Sequence, residues 1–512
     1  MSAAAGIGAA VVNWRASGHT VACVPRRGLG MNLASIVDGH PDDDVALVAD
    51  AEQVTYGELR RRAGGVRGAL VAAGRRPGDR VGLVSSNDVD FVTGLLGIIG
   101  AGLVAVPLNP QSPRPEIDPE LTVVGAASVL VGPSGRRLGI TRAIPVAELW
   151  DHDPAPVVDV EPDDLAVLVF TSGTAGAPRA AGLTHRNLLA NIEQVGAVGE
   201  LARRRDDVTL GVLPMFHVFG LNVVLLPALQ AGAQVVLVDQ PDPAQVAGTV
   251  ADRGVTTLTG PPTLWRAVAQ LPPGSVPADA FATVRIAASG AATLPVEVAA
   301  AVLERFGLRV HEGYGLTETS PVVATSAGTD APIGSIGRPL PGVEVRLVDE
   351  GGDDVLVGDV GEILVRGDNV FAGYWDDPEA TASVVDGDGW LHTGDLATVD
   401  DDGHLFVVDR RKDVVIVSGF NVYPGEVESA LLQHPDVVDA AVVGEPDDRT
   451  GEAVVAYVVV RPGATADAES LGDAVGERLA RYKCPRAVRL VHRIPRGLGG
   501  KVQRHRLPDR AP

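Results

Sequence analysis

Short apolar runs alternate with helical patterns through the first 340 residues of the chain. Five runs have the length and apolar content of buried strands: RVGLVSS (80–86), LAVLVFT (165–171), AQVVLVD (233–239), VTTLTGP (255–261) and VRIAASG (284–290). Segments such as PAQVAGTVADRG and LPVEVAAAVLERFG lie between them and carry apolar residues at helical spacing. This alternation predicts an α/β fold built from layers of sheets and helices.

The pattern changes near residue 340. VEVRLVDE, GEILVRG and HLFVVDR are short strands with few helices between them, which predicts a compact β subdomain over about 335–408. After DRRKDVVIVSGF (409–420), helical patterns at PGEVESALLQH and ESLGDAVGERLARYK flank strands at AAVVGE and EAVVAYVVV. We therefore predict a flexible tail at 1–31, a large domain over 32–408, an exposed charged hinge at 409–412 and a small α+β lid over 413–512. A plain solvated turn is the alternative to a hinge.

Two long stretches without charge, 91–108 and 208–238, have the length of a membrane span. Glycines and prolines interrupt both, which favours a buried helix followed by a buried strand. The N-terminal segment has neither a basic leader nor a cleavage pattern, so no signal peptide is predicted. Cys23 and Cys484 are the two cysteines, which fits a reducing compartment such as the cytoplasm.

Composition narrows the function classes. The 512 residues are 46% hydrophobic and 21% charged, as in ordinary globular proteins, and aromatic residues make up 4%, so an aliphatic core is expected. The formal net charge of −22 argues against a general nucleic-acid binder, which would show a basic face, although it allows a local phosphate site. No pattern in the sequence indicates an oligomeric state.

The segment LVFTSGTAGAPRAAGLTH (168–185) carries the strongest chemical signal. An apolar run ends in hydroxyls and glycines, and an arginine follows; its candidate phosphate-binding residues are Thr171, Ser172, Gly173, Thr174, Gly176 and Arg179. Glycines let backbone N–H groups approach an anion, and hydroxyls add donors, so the loop suits a polyphosphate. It lacks the Gly-Lys-Ser/Thr ending of a Walker A loop, and a polar turn between two strands is the structural alternative.

Other segments supply candidate partners for this loop. Lys501 follows glycines in IPRGLGGKVQR and could bring a compact charge onto a carboxylate or phosphate, unless the segment is a solvated tail. In HEGYGLTETSP, Glu318 is a hard oxygen ligand suited to Mg²⁺. Asp395 could accept hydrogen bonds from ribose hydroxyls and is paired with Arg410. His217 in PMFHVFG is either a buried core residue or part of an apolar pocket.

Seven motifs occur in an order that resembles the adenylate-forming enzymes, which include acyl-CoA synthetases, luciferases of the firefly type and the adenylation domains of peptide synthetases. They are TSGTAGAPR…THRN, PMFHVFG, SGAATLP, GYGLTE, HTGD, DRRKDVVIVSGFNVYPGEVE and PRGLGGKVQR, and the resemblance runs from about residue 32 to 506. The resemblance implies a two-step reaction. A carboxylate attacks the α-phosphate of ATP to give acyl-AMP and pyrophosphate, the lid rotates, and a thiol, usually that of coenzyme A, attacks the anhydride.

The resemblance also implies a role for each matching residue. Lys501, Glu318 and Thr174 are expected to be catalytic, and Glu318 is expected to bind Mg²⁺. Lys412 is the implied hinge, and Gly419 lies where the pantetheine tunnel of coenzyme A forms. The implied acyl pocket contains His217, Val218, Phe219 and Ala291. The implied ATP and AMP ligands are Thr171, Ser172, Gly173, Thr174, Gly176, Arg179, Gly290, Glu312, Gly313, Tyr314, Gly315, Thr317, Asp395, Arg410 and Lys501.

The phosphate loop departs from the family pattern at two positions. Arg179 stands where a lysine is usual, and Ala180 where a glycine is usual. Arginine still binds phosphate, often bidentately, but it is bulkier, and Ala180 restricts the backbone. We expect activity to survive, with pyrophosphate release or ATP affinity altered.

The implied acyl pocket indicates the class of acid. Residues 218–226, 289–294 and 320–325 contain no charged side chain, which favours an uncharged fatty or aromatic acyl group. An amino acid would need a carboxylate there, and a dicarboxylate such as malonate would need a basic residue. SGFNVYPGEVE resembles the coenzyme A ligases. An acyl-AMP ligase that loads a carrier protein, usually marked by an insertion, and a non-catalytic family member are the alternatives.

Overall fold

The protein is described by a computed structural model over residues 32–50, 52–171, 178–239, 242–277, 279–418, 420–447, 449–497 and 500–507. The sequence predictions for the tail at 1–31, for Ser172, Gly173, Thr174 and Gly176, and for Gly419 lie outside these ranges. Helices and strands are numbered in chain order below.

One sheet holds the two strands that flank the phosphate-loop segment. Its seven strands among the described residues run in the order β18-β8-β7-β4-β3-β5-β6. Their bounds are β3 Arg80–Val84, β4 Val104–Leu108, β5 Ser128–Val131, β6 Ile144–Pro145, β7 Leu165–Thr171, β8 Arg179–Thr184 and β18 Gly373–Tyr374. Strands β3 to β7 pair in parallel, whereas β8 pairs antiparallel with both β7 and β18. The β7–β8 pairing therefore sets Thr171 opposite Arg179.

A second sheet places the acyl and nucleotide motifs on neighbouring strands. Its order within the described ranges is β15-β14-β13-β12-β11-β9-β10-β1-β2. Their bounds are β1 Val45–Ala49, β2 Glu52–Thr55, β9 Val208–Gly211, β10 Gln234–Leu237, β11 Thr257–Gly260, β12 Ile286–Ser289, β13 His311–Gly315, β14 Val322–Thr325 and β15 Arg338–Pro339. Strands β12 and β13 are parallel, with Ser289 opposite Glu312. Because parallel strands end at the same edge of a sheet, Gly290 and Gly313 come together there.

Helices pack on both sheets and on the lid. They are α1 Tyr56–Ala72, α2 Val89–Gly100, α3 Arg114–Val123, α4 Pro133–Arg136, α5 His185–Ala197, α6 Leu226–Ala231, α7 Pro243–Arg253, α8 Pro262–Ala269, α9 Val296–Phe306, α10 Pro378–Val384, α11 Pro424–Leu432 and α12 Ala468–Gly476. A π-helical turn, Gly220–Leu225, precedes α6. Helix α5 begins with a capping box of Thr184 and Asn187, and α7 ends at Gly254 in the left-handed conformation. The main core is aliphatic, as the composition predicts.

The two uncharged stretches are interior elements. The first forms α2 and β4, as predicted, and the second forms β9, the π-helical turn, α6 and β10, so it has one strand more than predicted. Most of their side chains are buried. Among the described residues, no helix combines the length and apolar content needed to cross a membrane.

The β subdomain and the lid follow in sequence. The subdomain is an antiparallel sheet in the order β16-β17-β19-β20, with β16 Glu344–Val348, β17 Gly361–Arg366, β19 Leu391–Val399 and β20 Leu405–Arg410. The lid sheet contains β21 Val415–Val417, β22 Phe420–Val422, β23 Val437–Asp447, β24 Gly451–Val460 and β25 Ala487–Leu490. The α/β layers of the large domain and the small α+β lid are the predicted fold.

Two local boundaries differ from the sequence prediction. Asp409 and Arg410 still belong to β20, and the turn of the charged run is confined to Arg411–Asp413, because backbone pairing with β19 continues through Arg410. The predicted helix ESLGDAVGERLARYK ends early, at Gly476. Gly472 and Gly476 lower the helix propensity of this segment, and a short 3-10 turn at Arg481–Lys483 follows.

Candidate active site

Asp395 lies at the centre of a buried polar cluster. Strands β19 and β20 set it directly opposite Arg410, and the Arg410 Nε atom lies 2.8 Å from Asp395 Oδ1. The Tyr314 hydroxyl donates a hydrogen bond of 2.8 Å to Asp395 Oδ2. Burial and the neighbouring Asp395 charge raise the pKa of Tyr314 well above its usual value, so the hydroxyl remains a donor. The structure therefore contains the ion pair of Asp395 and Arg410 that the sequence predicts.

The glycines beside Tyr314 differ in their surroundings. A Cβ atom at position 315 would lie 1.7 Å from the carbonyl oxygen of Pro321, so only glycine fits between β13 and β14. At position 313 the nearest atom to such a Cβ would be 3.8 Å away. Gly315 is thus required for packing, whereas a Cβ at Gly313 would make only ordinary van der Waals contacts. Thr317 begins a short 3-10 turn, Thr317–Thr319, after β13.

Glu312 has a buried carboxylate. It accepts a hydrogen bond of 3.1 Å from the backbone N–H of Leu294, and burial raises its pKa to about 7. This bond ties the SGAATLP segment to β13. In this structure the Glu312 side chain therefore holds the loop after β12.

The predicted acyl residues meet the nucleotide strand at Gly290. A Cβ atom there would lie 2.9 Å from Phe219 Cζ and 3.3 Å from the carbonyl oxygen of Gly313. The backbone N–H of Phe219 donates to His217 Nδ1 at 3.2 Å, and burial lowers the pKa of His217, which favours its neutral form. Ala291 is exposed with a φ of 69°, whereas Val218 is 1% exposed and belongs to the main core. Val218 therefore packs with the scaffold in this structure.

Arg179 and Glu318 lie on either side of Tyr374. The Tyr374 hydroxyl donates to Glu318 Oε1 at 2.7 Å, and the Arg179 guanidinium carbon lies 5.9 Å from the centre of the Tyr374 ring. Arg179 Nε is also 3.3 Å from Asp377 Oδ2. Ala180 occupies an extended strand position opposite Phe170, so its Cβ costs the backbone nothing there. Arg179, the cation beside the phosphate loop, and Glu318, the candidate metal ligand, thus lie close together.

Lys501 reaches this region from the lid. Its turn is closed by a hydrogen bond of 2.8 Å from the Gly497 N–H to the Lys501 carbonyl, and a Cβ at Gly500 would lie 3.4 Å from Thr263 of the large domain. The residue is exposed overall, and its ammonium is partly desolvated beside the large domain. This desolvation, with the charges of Arg410 and Lys412, lowers the pKa of Lys501 to about 8, although Asp395 opposes the shift. Lys501 therefore lies within electrostatic range of the buried Asp395.

Comparison with known proteins identifies the family. The chain matches the description "AMP-binding enzyme" over residues 33–375 and "AMP-binding enzyme C-terminal domain" over residues 426–501. The chain belongs to the AMP-binding enzyme family. Its relatives include a feruloyl-CoA synthase from Amycolatopsis, 40% identical over 88% of this chain and 92% of that protein. A long-chain-fatty-acid–CoA ligase from Escherichia coli O157:H7 is 34% identical over 92% of each chain.

Solved structures agree with the family assignment. ATP-bound MatB from Rhodopseudomonas palustris is 33% identical and superposes with a TM-score of 0.87 over 93% of this chain and 98% of its own. A benzoate CoA ligase from Burkholderia xenovorans LB400 gives a TM-score of 0.85 at 27% identity, over 93% and 99% of the two chains. Members of this family use ATP and coenzyme A as substrates. The protein is an AMP-forming acid–thiol ligase that makes an acyl-CoA through an acyl-AMP intermediate.

The contacts of three residues of this AMP-binding enzyme could not be predicted from the sequence. Tyr374 and Asp377 contact Glu318 and Arg179, and Arg266 donates to the lid through Val438. The segment GYWDDPEAT offers one sequence signal, because Asp followed by Pro and Glu is typical of a helix start. That signal predicts α10, but not the partner of its capping residue. Arg266 carries no local signal, since its main acceptor is a backbone carbonyl.

Proposed function

We propose that this enzyme activates an uncharged carboxylic acid, fatty or aromatic, and transfers it to coenzyme A. The observation that carries the substrate class is the lack of charged side chains in 218–226, 289–294 and 320–325. An unpaired carboxylate or ammonium buried against such a surface would lose several kcal/mol of hydration without a compensating partner, by an order-of-magnitude estimate. The feruloyl, fatty-acid and benzoate specificities in the names of its relatives support the same class.

ATP is expected to span the cluster described above. In this proposal, Asp395 binds the ribose with Arg410 beside it, and adenine stacks on Tyr314 along the Gly313 strand and beside Gly290. Thr317, Thr171 and Arg179 bind phosphate oxygens together with the loop residues Ser172, Gly173, Thr174 and Gly176. Lys501 contacts the attacking carboxylate and the α-phosphate, where charge develops in the transition state. The carboxylate is ionised at neutral pH, so the chain need not supply a general base.

Glu318 fits the expected Mg²⁺. A carboxylate is a hard oxygen ligand with several lone-pair sites, so the hydrogen bond from Tyr374 to Oε1 leaves capacity for a cation. Tyr374 also fixes the side chain on which the metal would depend. When bound, Mg²⁺ would neutralise phosphate charge as a Lewis acid.

The second half-reaction requires Lys501 to leave. A lysine on a lid can act at the phosphorus and then withdraw when the lid turns about Lys412, which opens the site to the thiol. Gly419 is the proposed wall of the pantetheine tunnel in that second arrangement. We also propose a cytoplasmic location, consistent with the scarcity of cysteine.

One experiment separates the proposal from its alternatives. Carboxylic acids of graded length, including aromatic ones, are supplied with ATP and coenzyme A, and thioester, AMP and pyrophosphate are measured. We expect all three products with at least one uncharged acid. Accumulation of acyl-AMP that does not change when coenzyme A is added would indicate a carrier-protein ligase. Absence of pyrophosphate–ATP exchange with every acid would indicate a non-catalytic member.

A further inference from the structure

Arg179, the first residue of β8 after the phosphate loop, is restrained on two sides. Its Nε atom faces Asp377 Oδ2 at 3.3 Å, and its guanidinium carbon lies 5.9 Å from the centre of the Tyr374 ring. About half of the Arg179 side chain remains exposed. A long, flexible cation is thus kept in one place while part of it stays accessible.

Both restraining residues are themselves fixed by backbone structure. Asp377 caps helix α10, since its Oδ1 accepts a hydrogen bond of 2.9 Å from the Ala380 N–H. Capping leaves the other carboxylate oxygen facing Arg179. Tyr374 is held by the pairing of β18 with β8 and by donation of its N–H to Thr381 Oγ1 at 2.9 Å. The carboxylate and the ring therefore form a rigid seat for the guanidinium.

We propose that Asp377 is a positioning residue for ATP binding. By engaging Nε, it orients Arg179 so that the two terminal nitrogens of the guanidinium bind polyphosphate oxygens. This role rests on the proposed binding of the β- and γ-phosphates by Arg179. Asp377 does not contact the phosphates itself and acts only through the arginine.

The seat is suited to arginine rather than lysine. A guanidinium presents five N–H donors in a planar fork, so Nε can bind a carboxylate while the terminal nitrogens bind a phosphate. A lysine ammonium is a single point charge, and Asp377 would compete with phosphate for it instead of orienting it. Arg179 stands where the family usually has lysine, and Asp377 is its structural partner in this chain.

The test is Asp377→Asn, which keeps a good helix cap and removes the charge. Affinities for ATP and for inorganic pyrophosphate are measured calorimetrically without acid or coenzyme A, in the wild-type and Arg179→Lys backgrounds. We expect binding about two- to fivefold weaker in the wild-type background, the range of a half-exposed ion pair, and no weakening in the Arg179→Lys background. Thioester formation from supplied acyl-AMP is expected to be unchanged.

Asp467→Asn is the matched control, because Asp467 caps α12 of the lid in the same way. It should leave both affinities at wild-type values. Tighter or unchanged binding by Asp377→Asn would overturn the positioning role, and so would an equal loss in both backgrounds. The result is independent of the acyl substrate, since no acid is present. Failure of the acid screen would overturn the proposed acyl-CoA synthesis or its substrate class and would leave these two affinities unchanged.

Discussion

Lys501 is the residue on which the division of the reaction into two halves depends. Its ammonium reaches the Asp395 region from a turn of the lid, so it can assist only while the lid is in this position. We predict that Lys501→Ala slows adenylation about a hundredfold or more, the usual effect of removing one group that stabilises developing charge. Thioester formation from supplied acyl-AMP should remain nearly intact. Equal loss in pyrophosphate–ATP exchange and in thioester formation would contradict the assigned role.

The lowered pKa of Lys501 gives adenylation a characteristic pH dependence. The free enzyme carries the ammonium below a pKa of about 8 and loses it as the pH rises through that value. The kcat/KM for ATP, which reports the free enzyme, should therefore fall above about pH 8. In Lys501→Arg the residual activity should keep its plateau to higher pH, because a guanidinium does not deprotonate there. An unchanged alkaline limb in that variant would assign the titration to another group.

Site residues that stand in recognisable motifs could be predicted from the sequence, whereas the residues that hold them in place could not. Asp395 and Arg410 stand in recognisable motifs, and the structure pairs them. Asp377 looks like an ordinary helix cap, and its second contact depends on the antiparallel pairing of β8 with β18. That pairing joins segments almost 200 residues apart, and local patterns contain no information about it.

At the scale of elements, strand β13 offers a matched pair of glycines. We predict that Gly315→Ala destabilises the protein by about 3 kcal/mol, because its Cβ would overlap the Pro321 carbonyl and force β13 and β14 apart. Gly313→Ala should leave stability within about 0.5 kcal/mol of wild type, because no atom would lie closer than 3.8 Å to its Cβ. It should raise the KM for ATP, because adenine is proposed to stack along this strand. Thermal unfolding and ATP titration of both variants check this. A loss of stability in Gly313→Ala, or an unchanged KM for ATP in this variant, would contradict the prediction.

The helices and strands could be predicted from the apolar periodicity where the elements are buried in the interior. The five apolar runs of the large domain all contain strands, because a strand buried in a parallel sheet favours a mostly apolar sequence. Helix α12 is shorter than its pattern suggests, since the apolar spacing continues past Gly476 although the helix does not. At the charged run 409–412 the error is the opposite, because the strand is longer than the sequence suggests. Its first two residues extend β20, because edge positions of a sheet tolerate charge.

At the scale of the whole molecule, the position of the lid could not be predicted from the sequence. One contact that holds it runs from Arg266 on α8 to the backbone carbonyl of Val438, with the Asp439 carboxylate 3.8 Å away. A backbone acceptor exists at every residue, so no sequence pattern marks it. Asp439 in turn binds Arg496, and Arg496 donates to the Gly500 carbonyl at 2.7 Å. A chain of polar contacts thus links the large domain to the residue before Lys501.

This chain of contacts predicts that Arg266 favours the first half-reaction specifically. Arg266→Ala removes the anchor on the large domain while Asp439 and Arg496 keep each other, so the lid folds but docks less often in this position. We expect adenylation to slow on the order of fivefold, about 1 kcal/mol, with thioester formation from supplied acyl-AMP unchanged. Arg205→Ala, which removes an exposed ion pair with Asp44 on the large domain, is the control and should change neither step. If Arg266→Ala slowed both half-reactions equally, the contact would be a general support of the fold, and lid docking would have to depend on other residues.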